Sequence, residues 1–521
     1  MNSAVRKDES AAANGAQWIT VAFVIVGLSN YAYALLLTRL LNVSAYAKFA
    51  AGQGLVLWTS TMATVCVPWV LAQALARAQS ESERRSAIQF AKLVSLGSGV
   101  IASTFAGAIA IRFASPTTAF VLAVSIFIVF LGTTTTGWLQ GRERMRALSV
   151  LYVAENLLKN GAGVLLVVMA RLGDTGALAA FGIGGLVMLP WWPRTPQHSR
   201  RPRMTITANR HLWQRALGIS GAQGMVSLFV AIDVVVVALL PGVPALTASY
   251  QVSAMLSRIP LFIASAVATA FFPSLSRQAA RGTLAARAVR MYAAASLPVA
   301  AILITVPHPI LAMVFPTQYS AVAALLKYTA ITGLGVGGIS LITAFFQAAD
   351  SYRFLKWLSI GLGVYVVALL VGWEFNGIFG LAAGGTLGTM LALGLVGYRL
   401  IQQQGIRVLS RMPLMETLAI TALLIALRTH ILLWLAVAAL MGLRAGIRFL
   451  RPGARHAAGP RWMAAASKTG RNRASHVSST KPINSRRIRG ATDVLVKSRS
   501  GQRIPGNQGA GHLYPSRTGR Q

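Results

Sequence analysis

Two charged residues interrupt long apolar runs in the middle of the chain and are the first candidates for chemistry. Asp233 and Arg258 lie in the stretch AIDVVVVALLPGVPALTASYQVSAMLSRIPLFIASAVATAFFPSLSR, residues 231–277. This stretch predicts two apolar helices joined by a Pro-Gly-Val-Pro turn, the first ending near Leu240 and the second spanning 247–272. Because an ionised side chain is strongly unfavourable in lipid, we expect both charges to face the protein interior.

Arg258 is the main candidate for binding an anionic group. It lies eleven residues into its predicted helix, or about 16 Å along it, which is near the middle of a bilayer. Its planar guanidinium can hold a phosphate through two hydrogen bonds. The alternative role of Arg258 is an internal ion pair with Asp233. The two roles are compatible if Asp233 pairs with Arg258 until the anion binds. Pro260 removes an amide from the same helix and predicts a kink.

A second polar group lies on the predicted fifth helix. Glu155 and Lys159 are four residues apart and share one face, and Asn156 and Asn160 form an adjacent row. Four polar residues in one turn should not face lipid. They either line a cavity or form an internal pair that fixes the helix to a neighbour.

Two more basic residues, Lys327 and Arg39, are weaker candidates for cavity cations. Lys327 lies on the predicted tenth helix and Arg39 near the outer end of the first. Long basic side chains near a membrane interface commonly extend to water, which is the alternative for both.

The elements that position these residues follow from composition. The chain is 55% hydrophobic and 12% charged, and apolar runs long enough to span a bilayer recur from Trp18 to about Leu450. We therefore expect an all-α polytopic membrane protein. The net charge of +37 does not indicate nucleic acid binding, because 15 of the 49 Lys and Arg lie in the last 71 residues and most others flank apolar spans. Cys66 is the only cysteine, so no intrachain disulfide is possible.

Fourteen apolar spans are predicted, of which the last two are the shortest. Their ranges are 18–38, 49–72, 88–111, 116–139, 150–170, 176–192, 216–240, 247–272, 291–315, 322–346, 357–373, 377–398, 413–427 and 431–447. With the N-terminus inside, twenty basic residues fall in inner loops and five in outer loops. This positive-inside bias predicts a multi-pass protein of the cytoplasmic membrane with both termini cytoplasmic.

The chain carries an internal duplication. The segment 34–77 matches 231–277 at offsets of 199 and 200, and LQGRERMRAL at 139–148 matches FQAADSYRFL at 346–355 at an offset of 207. Such constant offsets predict two parallel six-helix halves, and transporters place the substrate path where such halves meet.

The predicted organisation has six parts. They are a cytoplasmic N-terminus (1–17), a first six-helix repeat (18–192), a basic cytoplasmic linker (193–213), a second repeat (214–400), two additional helices (413–448) and a basic tail (451–521). The tail is too polar to build a core, so it is expected to be disordered, and it either binds anionic headgroups or is simply solvated.

Signatures of enzymes are missing from the sequence. It has no phosphate-binding loop and no His-Glu-x-x-His, and none of its seven histidines lies at ligand spacing with another. The outer loops are mostly too short to carry an active site. We therefore expect no catalytic residues, no metal and no cofactor.

Several segments together resemble one family. They are LLLTRLLNVSAYAKFAAGQGLV, LQGRERMRALSVLYVAENL, DVVVVALLPGVPALTASYQVSAMLSRIPL with FFPSLSR, and FFQAADSYRFL followed by NGIFGLAAG. In collinear order over about 18–445 they resemble the Wzx-like polysaccharide-biosynthesis flippases of the multidrug/oligosaccharidyl-lipid/polysaccharide exporter superfamily. The resemblance implies a V-shaped pair of six-helix bundles around a cationic cavity, plus two C-terminal helices.

The activity implied by the resemblance is movement of an undecaprenyl-diphosphate-linked sugar from the cytoplasmic to the outer leaflet. Its implied partners are that lipid-linked sugar diphosphate, membrane lipids, and the glycosyltransferases or polymerase of the same pathway. Asn30, with Tyr31 and Tyr33 on the first helix, becomes a candidate for contact with the sugar, although tyrosines inside a span more often pack.

Two other functions remain open. A cation-coupled small-molecule exporter of the same superfamily needs buried carboxylates, and Asp233 and Glu155 are the only well-buried acids in the predicted twelve-helix core. The other is a non-transporting membrane scaffold that recruits partners through its basic tail.

Overall fold

Long apolar runs favour helices, because a backbone surrounded by lipid must satisfy its own hydrogen bonds. In the computed structural model, residues 2–193, 210–276, 281–349, 352–404 and 414–450 are described, and these contain helices and no strand. The α-helices of the described ranges are α1 (Asn2–Leu40), α2 (Val43–Arg77), α3 (Glu81–Ala110), α4 (Pro116–Gly141), α5 (Met145–Val168), α6 (Gly173–Gly185), α7 (Arg210–Leu239), α8 (Pro244–Leu256), α9 (Ile259–Ser276), α10 (Arg281–Thr305), α11 (His308–Val314), α12 (Val322–Ala348), α13 (Leu355–Gln404), α14 (Leu414–Ala426) and α15 (Ile431–Leu450). This confirms the predicted fold class.

Short polar residues mark where several helices begin. Asn42 caps α2 by accepting from the Ala45 amide at 2.8 Å. Ser80 caps α3, and Ser115 caps α4 immediately before Pro116. Each side-chain oxygen satisfies an amide that has no partner within its helix. We refer to the end of the bundle that carries Asn42 as the upper end and to the opposite end as the lower end.

The chain breaks near Pro260, as its sequence predicts. Helix α8 ends at Leu256, α9 begins at Ile259, and Ser257 and Arg258 form the turn between them. The break crosses α12 at Gly333, where a Cβ would lie 1.8 Å from the Ser257 carbonyl oxygen. A glycine at this point allows the two backbones to touch.

The predicted ninth span differs from the structure. It was expected over 291–315, whereas α10 starts at Arg281 and ends at Thr305, and the short helix α11 follows. Pro307 precedes α11, and the residue before a proline is disfavoured in helical conformation. The span therefore ends at the upper end, and α11 is a separate element there.

Helix α13 comprises two of the predicted spans. Asn376 and Gly377 inside it have non-helical backbone angles, with φ of 53° at Gly377. A Cβ at Gly380 would lie 1.9 Å from the Gly372 carbonyl oxygen, so the chain turns back and its two arms pack closely. We refer to 355–375 as the first arm and 378–404 as the second arm.

The structure contains eleven helical stretches that are long and apolar enough to cross a membrane, counted within the described residues. One of them, Leu355–Gln402, holds both arms of α13. Ile431–Gly446 is a shorter apolar helix, and α14 has 13 residues. The described residues therefore contain twelve long spans and two short helices, and the short ones are the last two, which the sequence also predicts to be the shortest.

Helix packing repeats between the two halves of the chain. In the first half α4 packs against α2, α3 and α6, and α1 packs against α5. In the second half α12 packs against α8 with α9, against α10 and against α13, and α7 packs against α13. The same neighbours recur in the same order, which agrees with the duplication in the sequence. Helices α14 and α15 are extra, and both pack on α10.

The two halves meet at the upper end through α2. Helix α2 packs against α7 and α8, and the Gln251 side-chain amide donates to the Ala47 carbonyl at 3.0 Å. Deeper in the bundle a Cβ at Gly54 would lie 3.2 Å from Val235, and one at Gly224 would lie 3.0 Å from Met62. The contacts of Gln251 and Gly54 close the upper end in this structure, and the packing of α2 on α7 continues to Gly224 in the middle of the bundle.

The predicted basic linker and tail fall mostly or wholly outside the described residues, which omit 194–209 and 451–521. The predicted domain boundaries accordingly stay predictions.

Candidate functional site

Asp233 and Arg258 border one cavity in the second half. The cavity is small and partly open, and it is formed where α7, the α8–α9 break and α12 meet. Its lining includes Phe229, Val230, Asp233, Ser257, Arg258 and Gly333. The interior position that the sequence predicts for both charges is therefore observed.

The Asp233 carboxylate accepts two hydrogen bonds. Tyr250 donates its hydroxyl to Oδ2 at 3.1 Å, and the Val234 amide donates to Oδ1 at 2.8 Å. Asp233 is 5% exposed. The two hydrogen bonds take the place of the bonds to water that the carboxylate loses on burial. The Tyr250 contact ties α7 to α8, as does the Gln251 side-chain amide, which donates to the Val234 carbonyl at 3.3 Å.

Arg258 does not form the direct ion pair with Asp233 that was one of its two expected roles. Its Nη2 donates to the Val230 carbonyl at 2.8 Å, and no carboxylate of the described residues forms an ion pair with it. The hairpin explains this, because Tyr250 lies level with Asp233 and Arg258 is two turns farther along. The guanidinium is half-buried, and the group that accepts its hydrogen bond is a neutral carbonyl.

A second cluster lies between α1 and α5 in the first half. Lys159 Nζ and Asn156 Nδ2 both donate to Asn30 Oδ1, the latter at 2.7 Å. Asn160 Nδ2 donates to Ser29 Oγ at 2.8 Å. The expected polar face of α5 therefore binds α1 and brings together Lys159 and Asn30.

Glu155 does not neutralise Lys159 directly. No hydrogen bond or ion pair to the Glu155 carboxylate occurs within the described ranges, although the two residues share a face of α5. The Lys159 ammonium instead lies 5.1 Å from the centroid of the Phe181 ring. Lys159, like Arg258, is a half-buried cation whose hydrogen-bond acceptors are neutral.

Aromatic rings connect the two clusters. Phe181, beneath Lys159, stacks on Phe49 with ring centroids 6.5 Å apart, and Phe49 lies 6.2 Å from Tyr46. The Tyr46 hydroxyl contacts the Met255 sulfur at 3.9 Å, and Met255 lies one turn before Arg258. Both cations therefore border one aromatic cluster, which lies where the halves meet.

The remaining candidates lie elsewhere. The Arg39 guanidinium is exposed at the upper end, where Nη2 donates to the Met313 carbonyl at 2.9 Å. Lys327 is exposed five residues into α12, with no described side-chain partner. The structure brings neither of them to the two clusters.

Several residues of the site were not predicted from the sequence. Tyr250 holds Asp233, Phe181 underlies Lys159, and Gln251 joins the halves. Tyr250 had a usable signal, since Asp233 lies eight residues before the Pro-Gly-Val-Pro turn and Tyr250 six residues after it, which places both about two helical turns from it. Phe181 had none, because aromatic residues are frequent in apolar spans. In the part of the chain that the structure describes, no three acidic, histidine or cysteine residues gather at one point.

The fold consists of two repeated six-helix halves, each of which contributes one half-buried cation, Lys159 from the first and Arg258 from the second. Comparison with solved structures gives the particular relatives. The lipid II flippase MurJ in an inward closed conformation matches with a TM-score of 0.63 at 13% identity, over 83% of this chain and 99% of that one. An inward-facing multidrug resistance MATE family transporter of the MOP superfamily matches with a TM-score of 0.55 at 14% identity, over 73% and 94%. The eukaryotic MATE transporter AtDTX14 matches with a TM-score of 0.51 at 15% identity, over 83% and 98%.

At these identities the likeness is one of fold. No protein-family model matches the chain, and no curated protein matches it in sequence. The chain has the fold shared by MurJ and these MATE transporters.

Proposed function

We propose that this protein is a flippase that moves an undecaprenyl-diphosphate-linked sugar or oligosaccharide across the cytoplasmic membrane by alternating access, for cell-surface polysaccharide synthesis. The observation that carries this proposal is the pair of half-buried cations. Arg258 comes from the second half and Lys159 from the first, and their hydrogen bonds within the described residues go to neutral acceptors, while the Asp233 and Glu155 carboxylates act on them only through space.

A diphosphate is the kind of anion that such a pair fits. It carries at least two negative charges that must leave water together, and charge-assisted hydrogen bonds are the strongest a protein offers to phosphate. A cation that is already neutralised by a carboxylate has little attraction left for substrate. Neutral acceptors such as the Val230 carbonyl and the Asn30 amide position the cation and leave its charge available.

The two cations belong to different halves, which suits a cycle in which the halves move. A diphosphate that bridges Lys159 and Arg258 interacts with both halves at once, and its release lets them separate at the other end. The boundaries at 18–192 and 214–400, with the linker 193–213, are the proposed moving bodies. The upper end is the proposed outer side, which places both termini in the cytoplasm.

The proposal also names partners by their chemistry. The lipid-linked sugar must be made by glycosyltransferases on the cytoplasmic side and used by a polymerase or transferase outside. The protein itself needs no cofactor and performs no covalent step in this account.

The test uses variants of Arg258 in proteoliposomes that carry a fluorescent undecaprenyl-diphosphate-linked sugar. Arg258→Ala should abolish movement between leaflets at a normal protein level. Arg258→Lys should give partial movement of the lipid-linked sugar, because lysine keeps the positive charge but cannot form the bidentate hydrogen bonds of arginine. The double variant Asp233→Asn with Arg258→Gln removes both charges. If that variant is well folded and still moves the lipid, Arg258 does not bind substrate.

A second candidate function is a cation-coupled small-molecule exporter. The Glu155 carboxylate favours it, because this half-buried acid has no hydrogen bond or ion pair among the described contacts and would suit a cation. In that case Glu155→Gln would abolish export of small cationic dyes, and Arg258→Ala would leave it intact.

A further inference from the structure

The short helix α11 is held at the upper end by two arginines that come from different parts of the molecule. Arg39 ends α1 in the first half. Arg428 lies in the turn between α14 and α15. The segment between α10 and α12 therefore touches both the opposite half and the extra hairpin.

Arg39 contacts the end of α11 through hydrogen bonds from its charged guanidinium to backbone carbonyls. Nη2 donates to the Met313 and Val314 carbonyls at 2.9 and 3.0 Å, and Nε donates to the Val314 carbonyl at 3.3 Å. The last carbonyls of a helix have no partner within it, so they are free to accept. Because the donors carry charge, the contact is stronger than one between neutral groups.

The Arg428 side joins α11 to a packed body. Arg428 Nη2 donates to the Val306 carbonyl at 3.4 Å, and Trp434 Nε1 donates to Thr305 Oγ1 at 3.3 Å. Trp434 is buried in a cluster with Ala301 of α10 and Leu424 of α14. These hydrogen bonds fix the end of α10 and Val306, which leads into α11, and Ile310 of α11 packs against the same cluster of α10, α14 and α15.

The closed upper end buries polar groups for which the described residues provide no hydrogen-bond partner. The hydroxyls of Tyr33 and Tyr319 and the Gln251 side-chain oxygen are buried without a hydrogen bond within the described ranges. Burial raises the pKa of the Tyr319 phenol, so it remains a protonated donor. Burying such groups unpaired is unfavourable, and opening the upper end would return them to water or ligand.

We propose that α11 is the latch of the upper end: Arg39 releases Met313 and Val314 when the halves separate, while Arg428 keeps α11 fixed to α10, α14 and α15. The closure is then a two-state element, with the Arg39 contact favouring the closed state and the unpaired polar groups favouring the open one. This proposal rests on separation of the halves at the upper end, which the proposed function requires.

The first test measures opening without any substrate. Ala47→Cys, in a Cys66→Ser background, places one thiol at the closed upper end, where a membrane-impermeant maleimide is applied from outside. Arg39→Gln should raise the labelling rate roughly tenfold, the effect of losing one to two charge-assisted hydrogen bonds. Arg112→Gln is the matched control, because Arg112 is an exposed arginine of the α3–α4 turn at the same end with no described side-chain partner. Equal rates in the two variants would overturn the latch.

The second test uses cross-links in the folded protein. In the same background a short bifunctional thiol reagent joins Arg39→Cys to Val314→Cys, or Val306→Cys to Arg428→Cys. The first cross-link should block movement of the lipid-linked sugar, whereas the second should leave it intact. A block by both cross-links would show that α11 leaves the hairpin, which contradicts the fixed end. If labelling behaves as expected while no variant moves the lipid, the latch stands and the proposed substrate is wrong.

Discussion

Gly333 lies where α12 crosses the break between α8 and α9, and its replacement by alanine should destabilise the protein. A Cβ there would lie 1.8 Å from the Ser257 carbonyl oxygen and 2.7 Å from its carbon. Side chains do not approach backbone so closely, so α12 or the break must shift. Overpacking of a filled site costs about 1–3 kcal/mol and occasionally more. Alanine recovers about 1 kcal/mol of helix propensity, which leaves a net loss of about 2 kcal/mol for so close a contact.

The assay is thermal melting of the detergent-purified protein, followed by size-exclusion chromatography. Gly394→Ala in the second arm of α13 is the matched control, because a Cβ there meets no atom within 4 Å. Gly333→Ala should melt several degrees below the wild type, whereas Gly394→Ala should melt at or above it. Equal melting temperatures for the two variants would refute the close crossing and, with it, the placement of Arg258.

Three further predictions concern topology, the tail and the Lys159 cluster. Single cysteines at 194–209 or after Arg451 should be shielded from an impermeant thiol reagent in intact cells, whereas Gly242→Cys should be labelled. The reason is that the basic loops are expected inside. Labelling of 194–209 from outside would reverse the orientation. Truncation after Arg451 should leave membrane insertion and transport largely intact, because this polar segment cannot build a core; loss of transport at normal membrane levels would favour a scaffold. Asn30→Leu should lower stability by about 1–3 kcal/mol in thermal melting, because it leaves the donors of Lys159 and Asn156 unpaired; Ser29→Ala removes one bond only and should cost less, so equal losses would count against the cluster.

The sequence alone predicts the helices and the repeat well, because both depend on local patterns. Apolar length identifies the spans, and the offset near 200 residues identifies the two halves. The hairpin at 231–277 is predicted with its turn, and Pro260 predicts the break at Ser257 and Arg258. These features are local, so a single sequence contains them.

The contacts between helices are harder to predict. The Lys159 ammonium meets Asn30, which is 129 residues away, and nothing in either helix specifies that neighbour. Arg39 donates to carbonyls of α11. Every residue has a backbone carbonyl, so the sequence does not indicate which one accepts a hydrogen bond. Arg258 was expected to pair with Asp233 or with substrate, and its bond to the Val230 carbonyl depends on the offset that the α8–α9 break introduces.

The central claim is that Arg258 and Lys159 hold one diphosphate between the halves. It is tested most directly by the affinity of undecaprenyl diphosphate for the protein in nanodiscs, with undecaprenyl monophosphate as the reference ligand. Arg258→Gln and Lys159→Gln should each weaken binding of the diphosphate at least tenfold, since a hydrogen bond to a charged group contributes about 1.5–3 kcal/mol. The preference over the monophosphate should disappear in the double variant. Wild-type affinity for the diphosphate in the double variant would contradict the account.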